Sequence, residues 1–320
     1  MLSRGRSVAG GAKGQFGRFP QGIPPGRDTL APISGGPGLR RIFVGDVQGC
    51  ADELDALLAR AERTFGDAFE VWLVGDLVNR GPSSLRVLER VRELSLRGRA
   101  RCVLGNHEIA LLAVAWGLRE RRPADTFDEI LDRPDLDSWT DWLRGLPLAE
   151  TGHLGSQPFA MVHAAAHPDW DLTGLRRAAT RVETRLRADV REARAFLASA
   201  PSSDPDRDAL ARLTSCRSVG PAGDWSPEPP VAPHEAWHRA WGARGHDYAI
   251  VYGHWSLQGL HVADRLRGLD TGCVHEGRGR PGFLTAWIPD PSKRRPFDMP
   301  DASFWQERAR RPYYRELVDA

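Results

Sequence analysis

The sequence predicts an α/β fold with a mainly parallel sheet. Three apolar segments, "RIFVG", "EVWLVG" and "ARCVLG", have the length and composition of buried strands. Each runs into a glycine followed by a carboxylate or an amide, namely Asp46, Asp76 and Asn106, and a helical pattern follows each one. Strands alternating with helices in this way form βαβ units.

The first helix, "ADELDALLARAERTF", places Leu54, Leu57 and Leu58 on one face. The second, "SSLRVLERVRELSL", opens just after Pro82, whose fixed φ suits a first turn. The third is "HEIALLAVAWGL", and a helical stretch follows from Thr126 to Leu146. "FAMVHAAA" reads as a buried strand, and residues 172–200 as one long helix rich in Arg and Ala. Pro, Gly and Ser interrupt residues 201–247, which read as irregular, so 172–247 is expected to be an insertion. "YAIVYG", "LRGLD" and "GFLTAWI" return to the core as strands, and a polar tail over 291–320 is expected to wrap the surface. Residues 1–40 are rich in Gly, Arg, Pro and Ser. They bury too little apolar surface to offset their ordering entropy, so a disordered basic arm is expected before a domain over 41–290.

Composition narrows the function. A 320-residue chain that is 41% hydrophobic and 27% charged can bury a substantial core. A net charge of +2 gives no footprint for nonspecific nucleic-acid binding, and no specific nucleic-acid binding is expected. No apolar run approaches the ~18–20 residues of a membrane span, and no secretory-type apolar segment opens the sequence. Cys50, Cys102, Cys216 and Cys273 lie far apart and form no C-x-x-C pair, so small buried core thiols in a reduced, cytoplasmic protein are expected.

In an open α/β sheet, ligands bind beyond the carboxyl ends of the strands, so Asp46, Asp76 and Asn106 are expected to meet in one crevice. "MVHAA" and "VYGHW" add His163 and His254 at two further strand ends. With Gln48 these residues form a mixed carboxylate, amide and imidazole set suited to Mn²⁺, Fe²⁺, Co²⁺ or Zn²⁺. The alternatives are ordinary ones: helix caps for Asp46, Asp76 and Asn106, and hydrogen-bonded core residues for the two histidines. "HEAWH" (234–238) matches the H-E-x-x-H zinc-protease pattern, but "SPEPPVAP" leads directly into it and a helix start with surface histidines is expected.

The blocks "GDVQG", "GDLVNRGP", "GNHE", "VHAA" and "YGHW" resemble the pattern of the calcineurin-like metallophosphoesterases. The segments "DEILDRPDLDSWTDWLRGLPL", "PDWDL" and "LRGLDTGC" resemble the branch of bacterial symmetrical diadenosine tetraphosphate hydrolases, over about residues 41–290. The resemblance implies a β-sandwich core with helices on both faces and two divalent ions at the strand ends. It implies that Asp46 and Gln48 hold one ion, that Asp76 bridges, and that Asn106, His163 and His254 hold the other. It further implies hydroxide attack on phosphorus, with His107 protonating the leaving oxygen, Asn79 orienting His107, and Arg80 gripping phosphate beside Asn106.

Departures from the pattern shape the remaining expectations. Gln48 stands where the pattern has histidine, and an amide oxygen favours Mn²⁺, Co²⁺ or Mg²⁺ over Zn²⁺. Asn79 replaces an acid and is expected to accept the imidazole hydrogen bond without supplying charge. In "ARLTSC", Arg212 is the candidate second phosphate-binding arginine, and Thr214 stands where another arginine belongs. "TGCVHEGRGRPG" departs from the compact glycine-rich turn of the branch. Three readings therefore stand: a hydrolase of dinucleoside polyphosphates acting on a small nucleotide, a phosphoprotein phosphatase or other phosphoesterase on the same scaffold, and a non-catalytic binding relic. Oligomeric state is left open.

Overall fold

The computed structural model describes residues 39–314. The basic arm expected over 1–40 lies outside the described residues except for its last two, and Arg40 already opens the first strand.

The chain begins with three strand–helix units: β1 (Arg40–Val44), α1 (Ala51–Phe65), β2 (Phe69–Leu73), α2 (Ser84–Leu96), β3 (Ala100–Cys102) and α3 (Asn106–Ala115). The strands pair in parallel, with Ile42 opposite Val71 and Leu73 opposite Cys102. Two short helices, α4 (Asp128–Leu131) and α5 (Leu136–Arg144), replace the single stretch expected over 126–146 and lead to the hairpin β4 (Ala149–Leu154) and β5 (Gln157–Val162).

Residues 172–200 form two helices, α6 (Leu172–Arg187) and α7 (Val190–Ala198), rather than one. The break lies at Asp189, whose carboxylate accepts from the N–H groups of Arg191 and Glu192 and so starts a new helix. The region expected to be irregular is also more regular than its Pro and Gly content suggested. It holds α8 (Pro205–Ser215), capped by Asp204, and a small sheet of β6 (Ser218–Val219), β7 (Trp225–Ser226) and β8 (Glu235–Ala236), followed by α9 (Trp237–Gly242). Pro205 sits in the first turn of α8, where its missing N–H has no partner to lose.

The chain then adds β9 (Ala249–Tyr252), β10 (His261–Ala263), β11 (Leu266–Gly268), β12 (Asp270–Thr271), β13 (Phe283–Trp287) and β14 (Phe304–Arg308). One sheet has the order β12-β13-β1-β2-β3, with β14 pairing on β13, and the other has the order β10-β11-β9-β5-β4. The expected surface tail thus supplies a strand, in register with the whole of β13. It is held by a buried pair in which Arg267 meets Asp301 at 2.8 Å, while the Trp287 indole donates to the same carboxylate.

Strand alternation explains the layers. Phe43, Trp72, Phe159, Met161, Val251 and Trp287 form one buried cluster drawn from both sheets, which is the filling of a β-sandwich. Their neighbours Ile42, Val44, Val71, Ala160, Val162 and Ile250 join the larger cluster with the helices. Burial on both faces is why these strands read as unbroken apolar runs.

Candidate functional site

The site lies beyond the carboxyl ends of β1, β2, β5 and β9, where the chain leaves two sheets toward one crevice. Five of its residues, Gln48, Asp76, Asn79, Arg80 and His254, have positive φ values between 46° and 79°. Side chains seldom adopt that backbone, and strain of about 1–3 kcal/mol per residue persists only where the surroundings enforce it. Two glycines make room. A Cβ at Gly105 would lie 2.2 Å from Oδ1 of Asp76, and one at Gly253 would lie 2.0 Å from Oδ1 of Asp46.

The predicted donors converge. Asp76, His163 and His254 offer ligand atoms that all lie within 4.8 Å of one another. Asp46 accepts from the His254 N–H with both oxygens, at 3.0 and 3.2 Å, and the Gln48 amide reaches Oδ2 of Asp76 at 3.4 Å. Asn106 Oδ1 lies 3.1 Å from Nε2 of His163 and 2.8 Å from Nδ1 of His254.

The proton arrangement at this point is informative. His163 commits Nδ1 to the Val74 carbonyl at 2.8 Å, and His254 commits Nε2 to the Ser215 carbonyl at 3.1 Å. A carbonyl only accepts, so each ring spends its single neutral-form N–H there. The nitrogens facing Asn106 are therefore lone pairs, and they face an amide oxygen and, for His163, Oδ1 of Asp76 at 3.4 Å. Burial keeps both rings neutral, holding His163 down to about 4 and His254 well below the usual imidazole range. Acceptors converging on acceptors, with a proton excluded, are satisfied by a cation. A histidine N–H on a backbone carbonyl is also the usual outer support of a metal-binding imidazole.

The carboxylates agree with this. Burial raises Asp46 well above the ordinary range, aided by repulsion from Asp270 and Asp76. Burial lifts Asp76 to about 7 despite the His107 N–H and the Arg80 charge. Asp270 rises to about 6 and Glu108 to about 7, again through burial first. Four buried acids crowded together without matching positive charge fit divalent cations, whose charge would remove the repulsion.

Sequence reasoning gave Asp270 and Glu108 no role. Glu108 accepts from the backbone N–H groups of Gly105, Asp76 and Leu77 at 2.8–2.9 Å and so clamps the loop after β2 to the start of α3. The "GNHE" block contained that signal, as the "LDTG" strand end did for Asp270.

Asn79 behaves differently from the expectation. Its amide oxygen accepts from the N–H groups of Arg80 and Thr126, at 2.8 and 3.0 Å, so it is unavailable to His107. Its Nδ2 meets Nδ1 of His107 at 2.8 Å and donates to Asp125 at 2.9 Å. The amide therefore donates to His107 and does not accept from it, which leaves the ring proton on Nε2. Asp125 fixes the orientation and is itself held by Arg119 at 2.8 Å. Asn79→Asp would set two carboxylates against each other there. It is expected to lower stability by about 1–3 kcal/mol, with Asp125→Asn in the same chain recovering most of the loss, as read from denaturant midpoints.

Gln48, Asp76, Arg80, Asn106, His107 and His254 line one cavity of about 210 Å³. Arg212 does not belong to it. Its guanidinium pairs with Asp208 at 2.6 Å and donates to the Gly223 carbonyl, because the α8 register puts Asp208 four residues away on the same face. Arg217, one residue past "ARLTSC", lines the cavity instead. A second cavity of about 510 Å³, bordered by His167, Gly220 and Arg244, contains none of the predicted residues. The protease-like motif also dissolves: His234 pairs with Asp224, His238 meets Gln258, and Glu235 lies in β8.

No helix among the described residues is long and apolar enough to cross a membrane. The family model described as calcineurin-like phosphoesterase matches residues 39–317. A symmetrical bis(5'-nucleosyl)-tetraphosphatase of Ralstonia nicotianae is 40% identical over 252 residues, 73% of this chain and 86% of that protein. The protein of the same name from Cronobacter sakazakii is 39% identical, covering 73% of this chain and 87% of its own length. Among solved structures, a putative diadenosine tetraphosphatase superposes with a TM-score of 0.56 at 22% identity, over 86% of this chain and 95% of that one, and so shares the fold. On the match to the family model and the identity to these relatives, the chain belongs to the calcineurin-like phosphoesterases.

Proposed function

We propose that this phosphoesterase cleaves dinucleoside polyphosphates, with diadenosine tetraphosphate split symmetrically into two ADP. Asp46 and Gln48 would hold one divalent cation, Asn106, His163 and His254 would hold a second, and Asp76 would serve both. When bound, the cations acidify water to a nucleophile and offset charge on the phosphoryl oxygens. Arg80 binds a phosphoryl oxygen pair through its fork, and its guanidinium has no ion-pair partner among the described residues. His107, carrying its proton on Nε2, donates to the leaving oxygen.

The observation that carries this reading is the facing of Asn106 Oδ1 and two imidazole lone pairs in a buried site. The substrate class rests on the tetraphosphatases about 40% identical over most of their length. An oxygen-rich donor set, with an amide at Gln48 where the family has imidazole, favours Mn²⁺ or Co²⁺. Four free buried cysteines suit a reducing compartment, and the cytoplasm is the location proposed.

The products decide the matter. Metal-stripped protein given Mn²⁺ and diadenosine tetraphosphate should yield ADP alone by anion-exchange chromatography. ATP with AMP would contradict symmetrical cleavage, and an intact substrate would remove the proposal.

A further inference from the structure

The cavity that holds the metal-ligand candidates has lining residues which the cation-binding roles leave unused. Arg217, His275 and Arg278 line it together with Asp76 and His254. Arg217 is half-buried and donates to the carbonyls of His254 and Pro227, two neutral acceptors that fix its fork without neutralising it. Glu228 and Asp270 line the same cavity. Arg278 is exposed and stacks over Tyr314 at 5.1 Å. Neither arginine forms an ion pair with a carboxylate among the described residues.

His275 is a second and independent sign. It is 6% exposed, and its buried Nδ1 has no hydrogen-bond partner. Burial first, then the charges of Arg80, Arg278 and Arg280, drive its ionisation down to about 3, so it is neutral beside three guanidinium groups. A buried polar nitrogen without a partner is destabilising and calls for an explanation. Arg80, Arg217 and Arg278 line the cavity with no ion pair to a carboxylate among the described residues, which leaves their forks open to an anionic ligand.

We propose that Arg217, Arg278 and His275 form a phosphate subsite beside the cation-binding cluster. It holds the phosphoryl groups of a linear polyphosphate that are not under attack, while Arg80 serves the reacting one. Residues 271–282, which carry His275 and Arg278, are the segment that departs from the compact family turn, and Arg217 stands where Arg212 was expected to act. The subsite makes the enzyme select for several linked phosphates over a single one. This rests on the phosphohydrolase reading of the same cavity.

The test uses hydrolysis of p-nitrophenyl phosphate as reporter, with free Mn²⁺ held constant by a metal buffer. Inhibition by inorganic tripolyphosphate is compared with inhibition by orthophosphate. Arg217→Ala and Arg278→Ala should each raise the inhibition constant of tripolyphosphate about tenfold or more, the loss expected for one charge-assisted contact, while that of orthophosphate rises less than about threefold. Arg217→Lys should recover only part, because a point charge does not reproduce the fork. An unchanged ratio of the two constants in both alanine variants would overturn the subsite. Arg278 is exposed, so its variant keeps the fold and decides the question even if Arg217→Ala does not. Selective loss of tripolyphosphate binding in a protein that leaves diadenosine tetraphosphate intact would sustain the subsite and refute the dinucleotide substrate. Symmetrical cleavage with an unchanged ratio would do the reverse.

Discussion

Asp76→Asn is expected to abolish cation binding and turnover together. Asp76 is 1% exposed and lies at the centre of the cluster, with Oδ1 accepting from the His107 N–H and facing His163, and with Oδ2 facing Gln48 and His107. An amide has nearly the same shape, so the loop after β2 keeps its clamp from Glu108 and the fold should survive. What is lost is a negative charge that bound divalent ions would require. In the metal-free protein, burial holds the Asp76 carboxyl up at about 7. A carboxyl raised above its unfolded value of about 3.9 contributes stability that is full below that value and is lost as pH rises through the folded one. Added Mn²⁺ should therefore stabilise the wild type most above pH 7. Below pH 7 its apparent affinity should weaken about tenfold per unit for each proton displaced. Metal at 100 times its dissociation constant is worth about 2.7 kcal/mol, visible as a rise in melting temperature that Asp76→Asn should lack. A variant with normal metal-induced stabilisation would remove Asp76 from the proposed role.

The parts of the molecule legible in the sequence are those governed by local rules. Apolar runs bounded by Gly-Asp and Gly-Asn placed β1, β2 and β3 correctly, because strands buried on two faces leave a continuous apolar signature. The ends of those strands, with His163 and His254, gave the residues that converge in the crevice. Longer-range pairing was hidden. Nothing local in "SFWQER" distinguishes an edge strand from a surface tail, and only pairing with β13 defines β14. Arg212 and Arg217 illustrate the same limit at the site. Both are arginines at the end of one helix, and which one reaches the cavity depends on the α8 register and on Asp208. Asn79 was identified as a partner of His107, but the direction of its hydrogen bond depends on Thr126 and Asp125, some 46 residues further along the chain. The network that decides the chemistry is assembled by the fold and is not encoded in the motif itself.

That network sets the second large effect, His107→Ala. The backbone N–H that meets Asp76 remains in alanine, so cation binding should persist. The lost group is the Nε2 donor, and loss of a positioned proton donor slows turnover by ~10²–10⁴. Where in that range the loss falls depends on the leaving group. Burial first, then Arg80, hold the His107 ring well below the usual imidazole range, and Asn79 donates to Nδ1 where a carboxylate would instead draw a proton. A neutral imidazole is a weak acid. A leaving phosphate, whose protonation occurs near pH ~6, departs with no more than a hydrogen bond from the ring, whereas an alkoxide, whose conjugate acid is nearly as weak as water, must take the proton to leave and so depends on the ring more heavily. An amide at position 79 is thus suited to breaking anhydrides and is poorly suited to alkyl phosphoesters such as phosphoserine. The wild type should therefore favour diadenosine tetraphosphate over a phosphoserine peptide in kcat/KM. His107→Ala should lose about 10² on the anhydride and closer to 10⁴ on the alkyl ester. Equal losses on both substrates, measured at saturating Mn²⁺, would show that His107 acts by binding phosphate and not by assisting the departing oxygen.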